Sequence, residues 1–266
     1  MMTGDERAKY EAGLVKRDVP FRERSREDLD YVESVFPNCM AMTFRSEEEW
    51  LSKRRSFLCA SDTPSILGIG FRSNVAVWED KCDPDAVKRR RPPSADAERR
   101  MRMGRLSEPR VRDQFGIDTN LPVFDGTNIL VVNTSMLDSR GEPFMAATLD
   151  GFAALPNGDV MLLEIKRSES WSAFGANIPL GYRAQVLKQM VVTGAKSAVL
   201  AARCVRFNNV PNSTLNLRNV QETDYCITLD EQAKYDMECI VKAERQFWEN
   251  HVVARKKPDL FIPDPA

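Results

Sequence analysis

The spacing of hydrophobic and polar residues changes several times along the chain, most clearly around residues 149–167. Gly151–Leu155 is a short apolar run, and Val160–Ile165 is a second, nearly continuous one, as expected for strands buried on both faces. Pro156–Asp159 separates them and is typical of a tight turn, because Pro presets φ and Asn-Gly tolerates positive φ. The pattern therefore predicts a β-hairpin.

Apolar residues at helical spacing predict further elements on both sides of this hairpin. Helices are expected at Asn74–Lys81, Met101–Phe115 (apart from Pro109), Tyr182–Thr193 and Leu229–Val252. Ser61-Asp62-Thr63-Pro64 predicts another helix start, with Ser or Asp as its cap and Pro in its first turn. We expect an α/β fold whose central mixed β-sheet, flanked by helices, contains the 149–167 hairpin and a strand at 198–204.

The chain is long enough for one large domain. Of its 266 residues, 1–46 are charge-rich and predict a helical N-terminal extension. Residues 47–254 are expected to form a single domain, and residues 255–266 a Pro-rich tail.

Composition excludes several classes of protein and of site. There is no run of about 18 apolar residues, so no membrane span is expected. The N-terminus lacks the apolar segment of a signal peptide, and we therefore expect a cytoplasmic protein. Six scattered cysteines predict reduced thiols rather than a zinc site. His251 is the only histidine, expected at a surface helix end, so acid–base chemistry would fall to carboxylates and lysines.

The predicted hairpin carries a candidate metal site. Folding back at residues 156–159 would bring Asp150 toward Glu164, and the period of two puts Lys166 on the same face as Glu164 while Ile165 points into the core. Two converging carboxylates suit Mg²⁺ or Mn²⁺. A neighbouring lysine can orient a water and neutralise charge on a phosphate. The alternative is an exposed hairpin with an ordinary Glu–Lys pair.

Charge along the chain is uneven although its formal net value is −1. Residues 88–112 contain ten basic and three acidic residues, a net charge of +7. Such a band indicates a polyanionic partner, and Arg102 and Arg105 could supply contacts to the backbone of that partner close to Glu108. Lys88–Pro93 alone is equally consistent with a solvated loop or a targeting signal.

Two further groups of residues have open interpretations. Arg54 and Ser61 lie on either side of a helix end and a helix start, where they could clamp a phosphate; alternatively Ser61 is an ordinary cap and Arg54 pairs with a glutamate in 47–49. Glu108 has Arg105 and Arg112 one turn away on either side, so it is either neutralised by them or reserved for a cation.

Four pieces of sequence, in this order, support a resemblance. They are Trp50-x3-Arg54-x6-Ser61, Gly104-x3-Glu108, Asp150-x13-Glu164-x-Lys166 and Ala184-Gln185-x4-Met190-x2-Thr193. Residues 47–205 thereby resemble the phage alkaline exonucleases, the lambda-exonuclease and YqaJ-type viral recombinase group of the PD-(D/E)xK nuclease superfamily. The resemblance implies a restriction-endonuclease-like core.

The same resemblance implies roles for individual residues. Glu108, Asp150 and Glu164 would be metal ligands together with the Ile165 carbonyl. Lys166 and Gln185 would handle the attacking water, and Arg54 and Ser61 would hold a 5′-terminal phosphate. An additional acidic residue is implied before the hairpin, for which Asp138 is a candidate.

The resemblance also implies an activity and its partners. The expected enzyme is a Mg²⁺-dependent 5′→3′ exonuclease on linear double-stranded DNA, acting in phage-type recombination within the host cytoplasm. It would assemble as a trimeric ring and work with a single-strand annealing protein. Two other functions remain open from the residues, a restriction- or repair-type endonuclease and a non-catalytic DNA-binding module.

Overall fold

The structure is a computed structural model that describes residues 21–70, 72–83, 85, 94–168, 174–205 and 220–261. Its helices are α1 (Arg26–Val35), α2 (Glu47–Arg54), α3 (Thr63–Ile66), α4 (Asn74–Cys82), α5 (Ala95–Thr119), α6 (Leu180–Thr193) and α7 (Glu231–Phe247), which continues as a π-helical segment, Trp248–Val253. Its strands are β1 (Cys39–Met42), β2 (Leu58–Cys59), β3 (Val123–Asp125), β4 (Leu130–Asn133), β5 (Met145–Thr148), β6 (Gly151–Ala154), β7 (Val160–Ser168), β8 (Ser197–Val205) and β9 (Val220–Thr228).

The larger sheet has five strands in the order β3-β6-β7-β8-β9. Strands β7 and β8 run parallel and the other pairs are antiparallel, so the sheet is mixed. It contains both the predicted hairpin and the predicted 198–204 strand, and helices flank it, which confirms the expected fold class. A second, four-stranded sheet in the order β1-β4-β5-β2 was not predicted.

The hairpin turns as its sequence predicts. Leu155 N–H donates to Asp159 O at 2.8 Å, and Gly158 takes a φ of +82°, which glycine adopts without steric cost. Strand β7 is longer than predicted. Its pairing with β6 ends at Gly151–Leu163, whereas its pairing with β8 continues to Ser168. Residues 164–168 therefore have a neighbouring strand on one side and open onto a notch beyond the start of β6.

Two helices cover opposite faces of the larger sheet at this notch. On one face, Val111 and Phe115 of α5 pack against Ile165 of β7. On the other face, Leu187 and Met190 of α6 belong to the main hydrophobic core, which also contains β-strand residues such as Leu162, Leu200 and Ala202. Since side chains alternate along a strand, Glu164 faces α6 and Ile165 faces α5.

The two sheets are joined directly at Leu149 and Asp150. Strand β5 of the smaller sheet ends at Thr148, and strand β6 of the larger sheet begins at Gly151. Leu149 is 2% exposed and anchors the link in the core. Asp150 thus lies where the chain passes from one sheet to the other.

A fully buried ion pair ties α6 to α7. Lys188 donates to Glu244, and both side chains are 0% exposed. Thr63 of α3 donates to the second carboxylate oxygen of Glu244, so both oxygens of the buried anion are hydrogen-bonded. Breaking such a pair leaves an uncompensated buried charge, so it fixes how α3, α6 and α7 pack together.

The ends of the described chain pack onto this framework. Residues 21–46, predicted as part of a helical extension, form α1 and also β1, which pairs with β4 through Cys39–Asn133 to Met42–Leu130. In the predicted tail, Asn74 accepts from Phe261 N–H and donates to Asp259 O. Residues 1–20 of the predicted extension and 262–266 of the tail lie outside the described residues.

Other expectations concern single residues and the membrane. All six cysteines are free thiols, as predicted. His251 lies in the π-helical segment, half-buried, with Nδ1 3.1 Å from Lys256 O. Within the described residues, no helix is both long enough and apolar enough to cross a membrane.

Candidate active site

Asp150 is held against the notch by its side chain and by its backbone. Its Oδ2 accepts the N–H of Ile165 at 2.7 Å. Ile165 is the first residue of β7 whose main chain faces β6 but has no paired residue there. The carbonyl oxygen of Asp150 accepts from the guanidinium of Arg112 on α5. The Asp150 carboxylate, which was predicted to approach Glu164, is therefore fixed beside β7 at Ile165, the residue after Glu164.

Glu164 is the most extensively hydrogen-bonded residue of the site. It is 3% exposed, and its Oε1 accepts from Lys166 and from Gln185 Nε2, the latter at 2.7 Å. Its Oε2 accepts from Gln189 Nε2 at 2.6 Å. Both glutamines project from α6. The structure thus brings together Glu164, Lys166 and Gln185, which the sequence had placed in one site.

Gln189 is a site residue whose role the sequence did not specify. Its Nε2 also donates to Thr148 O at 3.1 Å, so it links Glu164 to the end of β5. Its Oε1 is buried and has no hydrogen-bond partner among the described residues. The available signal was its position one helical turn after Gln185, which puts both amides on the same face of α6.

The two arginines that flank Glu108 in sequence have other partners. Arg105 pairs with Glu47 of α2 at 3.1 Å, and Arg112 pairs with Asp125 at 2.7 Å. Within the described part of the chain, no ion pair to Glu108 is formed. Although burial raises the pKa of Glu108, the charges of Arg112 and Arg105 act to lower it, so both interpretations left open by the sequence stand.

The electrostatics of the site reflect crowding of like charges. Burial, and next the charge of Glu164, raise the pKa of Asp150 well above its ordinary value. The same two causes, in the same order, raise the pKa of Glu108. Burial lowers the pKa of Lys166, but the charges of Glu164 and Asp150 outweigh it, so that pKa is raised. The lysine is therefore held as a cation among acids that repel one another.

The donor set suits a hard divalent cation, although its side chains are not arranged as a preformed cluster. Carboxylate oxygens are the ligands that Mg²⁺ prefers, and a cation would relieve the repulsion among Glu108, Asp150 and Glu164. Ile165 directs its N–H toward Asp150, and a strand residue directs its carbonyl to the same edge. However, no three acidic, histidine or cysteine side chains in the described residues are close enough to hold a metal ion as they stand.

Arg54 and Ser61 meet, as their spacing suggested. Arg54 Nη2 donates to Ser61 Oγ at 2.6 Å, and its guanidinium lies 4.5 Å from the ring centroid of Trp50. The alternative pairing of Arg54 with a glutamate in 47–49 does not occur, because Glu47 pairs with Arg105 and Glu49 accepts from Arg45 N–H.

The predicted helix start is confirmed, with Asp62 at the N-cap position and Pro64 in the first turn, but the cap itself differs from expectation. Helix α3 is a single turn, Thr63–Ile66, and Asp62 at its N-cap position makes no capping hydrogen bond. The Asp62 carboxylate instead accepts from Cys59 N–H at 3.0 Å and pairs with buried Lys81 at 2.7 Å. A one-turn helix has little dipole, so any anion bound at this position would depend on Arg54 and Ser61 rather than on the helix.

The predicted DNA-contacting arginines lie on α5, which is longer than expected and runs through Pro109. Arg102 is half-buried and Arg105 is exposed, three residues before Glu108. Arg99 and Arg100 both pair with Asp96. Lys88–Pro93, the start of the basic band, lies outside the described residues.

Asp138, the candidate for an additional acid of the site, lies in a different place. Its buried carboxylate accepts from Arg140 Nη2 at 2.7 Å and from Trp248 Nε1 at 3.1 Å, and also from the N–H groups of Arg140 and Glu142. It closes the 138–142 turn against the π-helical segment. The prediction that Asp138 is an additional acid of the site was therefore wrong. Its hydrogen bond with Trp248 joins residues that are distant in sequence and could not be predicted from local spacing.

Comparison with known proteins identifies the same part of the chain. The family model of the YqaJ-like viral recombinase domain matches residues 49–196, a range that contains every candidate site residue from Arg54 to Gln189. None of the curated proteins matches the chain significantly.

Among solved structures, the chain is similar to the alkaline exonuclease LHK-Exo from Laribacter hongkongensis. The TM-score is 0.54 at 20% identity, covering 79% of this chain and 96% of that one. The complex of LHK-Exo with dAMP gives a TM-score of 0.51 at 19% identity, covering 79% and 98%. These similarities show a shared fold.

Proposed function

The chain belongs to the family of YqaJ-like viral recombinase domains, and from this premise we propose that it is a Mg²⁺-dependent 5′→3′ exonuclease of linear double-stranded DNA. The observation that carries the proposal lies at the open edge of β7, where Asp150 accepts from Ile165 N–H while Lys166 donates to Glu164, so that all three side chains belong to one short stretch of the strand edge. A decayed, purely DNA-binding module would be expected to lose at least one of these groups.

The residues that would hold the cation are Glu108, Asp150 and Glu164, with the carbonyl of Ile165. Mg²⁺, or Mn²⁺ in its place, would supply Lewis acidity toward the phosphate and lower the pKa of the attacking water. Gln185 and Gln189 keep both oxygens of Glu164 in place by donating to them. Since each donates from a helix, Glu164 would not need to reorganise during the reaction.

Lys166 has two tasks in this mechanism. Its ammonium is held by Glu164, and its raised pKa keeps it charged at neutral pH. A fixed cation at this position orients the water for attack on phosphorus and offsets the negative charge that develops on the phosphate oxygens. Water adds to phosphorus as the P–O3′ bond breaks, which leaves a 3′-hydroxyl on the released nucleotide and a new 5′-phosphate on the DNA.

Arg54 and Ser61 would hold that 5′-terminal phosphate. A guanidinium offers two parallel donors to a phosphate, and the ring of Trp50 supports its plane. The contact between Arg54 and Ser61 would open to admit the anion. Because each cycle leaves a new 5′-phosphate, the same two residues would serve every turnover.

DNA and protein partners follow from the same proposal. Arg102 and Arg105 on α5 would contact the duplex backbone next to Glu108, and such contacts carry affinity rather than sequence preference. By resemblance, the enzyme would form a trimeric ring around the duplex, act with a single-strand annealing protein and work in the cytoplasm.

A digest of three DNA forms tests the proposal. Linear duplex with 5′-phosphates, nicked circles and closed circles are incubated with Mg²⁺, with Mn²⁺ or with excess EDTA, using Asp150→Asn as the inactive control. Degradation of linear DNA from its 5′ ends, dependent on the metal, is expected. Cleavage of closed circles would instead indicate an endonuclease. If no DNA form is degraded with either metal, the result would indicate a non-catalytic DNA-binding module.

A further inference from the structure

Arg112 connects two of the elements that carry acids of the candidate site. It lies on α5 one turn after Glu108, and its side chain is 5% exposed. Its Nη1 donates to the carbonyl oxygen of Asp150 and pairs with Oδ1 of Asp125 at 2.7 Å. A single side chain thus joins the helix that carries Glu108 to the backbone that carries Asp150.

Asp125, the second partner of Arg112, is itself fixed. Its Oδ2 pairs with Arg24 at 2.9 Å, and its backbone pairs with Gly151 at the end of the β3–β6 ladder. The guanidinium of Arg112 therefore lies between two acceptors that belong to neighbouring strands of the larger sheet. Both contacts are made by Nη1, whose two N–H groups can serve both acceptors at once.

Gly151, the residue after Asp150, makes room for this arginine. A Cβ at this position would lie 3.3 Å from Arg112 Cδ and 3.1 Å from Phe124 O. Because the φ of Gly151 is not positive, its backbone conformation does not require glycine. The close approach of Arg112 and β3 is what favours glycine at this position. Arg112 thus bonds to the carbonyl oxygen of Asp150, 38 residues later in the chain, and packs closely against Gly151.

We propose that Arg112 is a positioning residue that sets the separation of Glu108 and Asp150, and so prepares the site for its divalent cation. The inference rests on the proposed function, because it assigns those two carboxylates to one cation. Helix α5, which carries Glu108, covers one face of the sheet, and α6, which carries Gln185 and Gln189, covers the other. The grip of Arg112 on Asp150 offsets the repulsion between the two acids at the point where α5 meets the sheet.

The test measures Mn²⁺ binding to the full chain by isothermal titration calorimetry, together with kcat and KM on linear DNA. Arg112→Lys keeps the charge on a side chain one atom shorter, so that its ammonium should not reach both acceptors, and Arg112→Met removes the charge. Both should weaken Mn²⁺ binding about 10- to 100-fold, the usual effect of losing a residue that orients a ligand. The value of kcat should fall, and KM for DNA should change little. Arg110→Met, an exposed arginine on the same helix, should leave Mn²⁺ binding unchanged.

Gly151→Ala provides a second route if Arg112→Met does not fold, because it displaces the arginine while keeping its charge. Mn²⁺ binding by Gly151→Ala and Arg112→Lys within twofold of the wild type would overturn the proposal for Arg112 and leave the proposed function intact. Absence of Mn²⁺ binding by the wild type would overturn both.

Discussion

The main-chain N–H of Ile165 donates to the carboxylate of Asp150 at 2.7 Å. This bond lies where the next main-chain hydrogen bond between β6 and β7 would be. The Asp150 side chain therefore replaces a main-chain acceptor where β6 ends. The bond places an acid beside Glu164 without any turn or loop of its own.

Asp150→Asn and Glu164→Gln should each abolish metal-dependent hydrolysis of linear DNA, with rates lowered by about 10²-fold or more. In Asp150→Asn, asparagine still accepts the Ile165 N–H and one of several repelling charges is removed, so the melting temperature should be unchanged or higher. In Glu164→Gln, the amide NH2 would face one of the donors that now bond to Glu164, so the melting temperature should fall. Initial rates with Mg²⁺ and thermal unfolding of the same preparations test both points. Wild-type rates in either variant would place catalysis elsewhere.

Lys166→Met should lower kcat by about 10²- to 10⁴-fold while the dissociation constant for DNA changes little, because the contribution of Lys166 arises mainly in the transition state. Single-turnover cleavage and equilibrium DNA binding separate the two effects. Lys196→Met, an exposed lysine paired with Asp159 in the hairpin turn, is the control. Equal losses of binding and rate would make Lys166 an ordinary phosphate contact.

Arg54→Ala should erase a preference for 5′-phosphorylated over 5′-hydroxyl ends while slow metal-dependent cleavage persists. Digestion of the two kinds of end by wild type and variant, with melting temperatures measured in parallel, tests this role. Arg55→Ala, the next residue, is the matched control and should keep the preference. A wild type that degrades both ends equally fast would remove the end-binding role from Arg54.

Asp138→Asn should lower the stability of the folded protein rather than its activity. Burial raises the pKa of Asp138, but hydrogen bonds from Arg140, Trp248 and the turn backbone outweigh it and hold that pKa well below its usual value. A lowered folded-state pKa stabilises the protein above the unfolded pKa of about 4, and this stability is lost as the pH falls below it. At pH 7 the variant should be less stable by about 2 kcal/mol.

Urea unfolding of wild type and Asp138→Asn at pH 7, 5 and 3.5 measures this difference, which should shrink toward the lowest pH. Asp118→Asn, an exposed carboxylate bonded to Gln114, should differ little from wild type at any of these values. DNA cleavage by Asp138→Asn at neutral pH should remain, since the residue lies outside the site.

The parts of the fold and site that could be predicted from sequence are those that depend on near neighbours in the chain. The hairpin, its turn and the shared face of Glu164 and Lys166 follow from a period of two and from Pro-Asn-Gly-Asp. The common face of Gln185 and Gln189 follows from helical spacing. These relations span a single strand, turn or helix.

The remainder depends on contacts between distant residues. The partner of Arg105 is Glu47, 58 residues away, and that of Asp138 is Trp248, 110 residues away, so local spacing could not assign either. The smaller sheet was missed for the same reason, since β1 pairs with β4 across about ninety residues and β2 with β5 across a similar distance.

The direct passage from β5 to β6 also determines when the protein becomes able to act. Asp150 reaches its place only after both sheets have formed and docked, and the smaller sheet depends on slow, long-range closure of the chain. Hairpin and helices can form earlier, yet they do not by themselves bring Asp150, Glu164 and Glu108 together. Under the proposed function, an incompletely folded chain is therefore expected to have no nuclease activity.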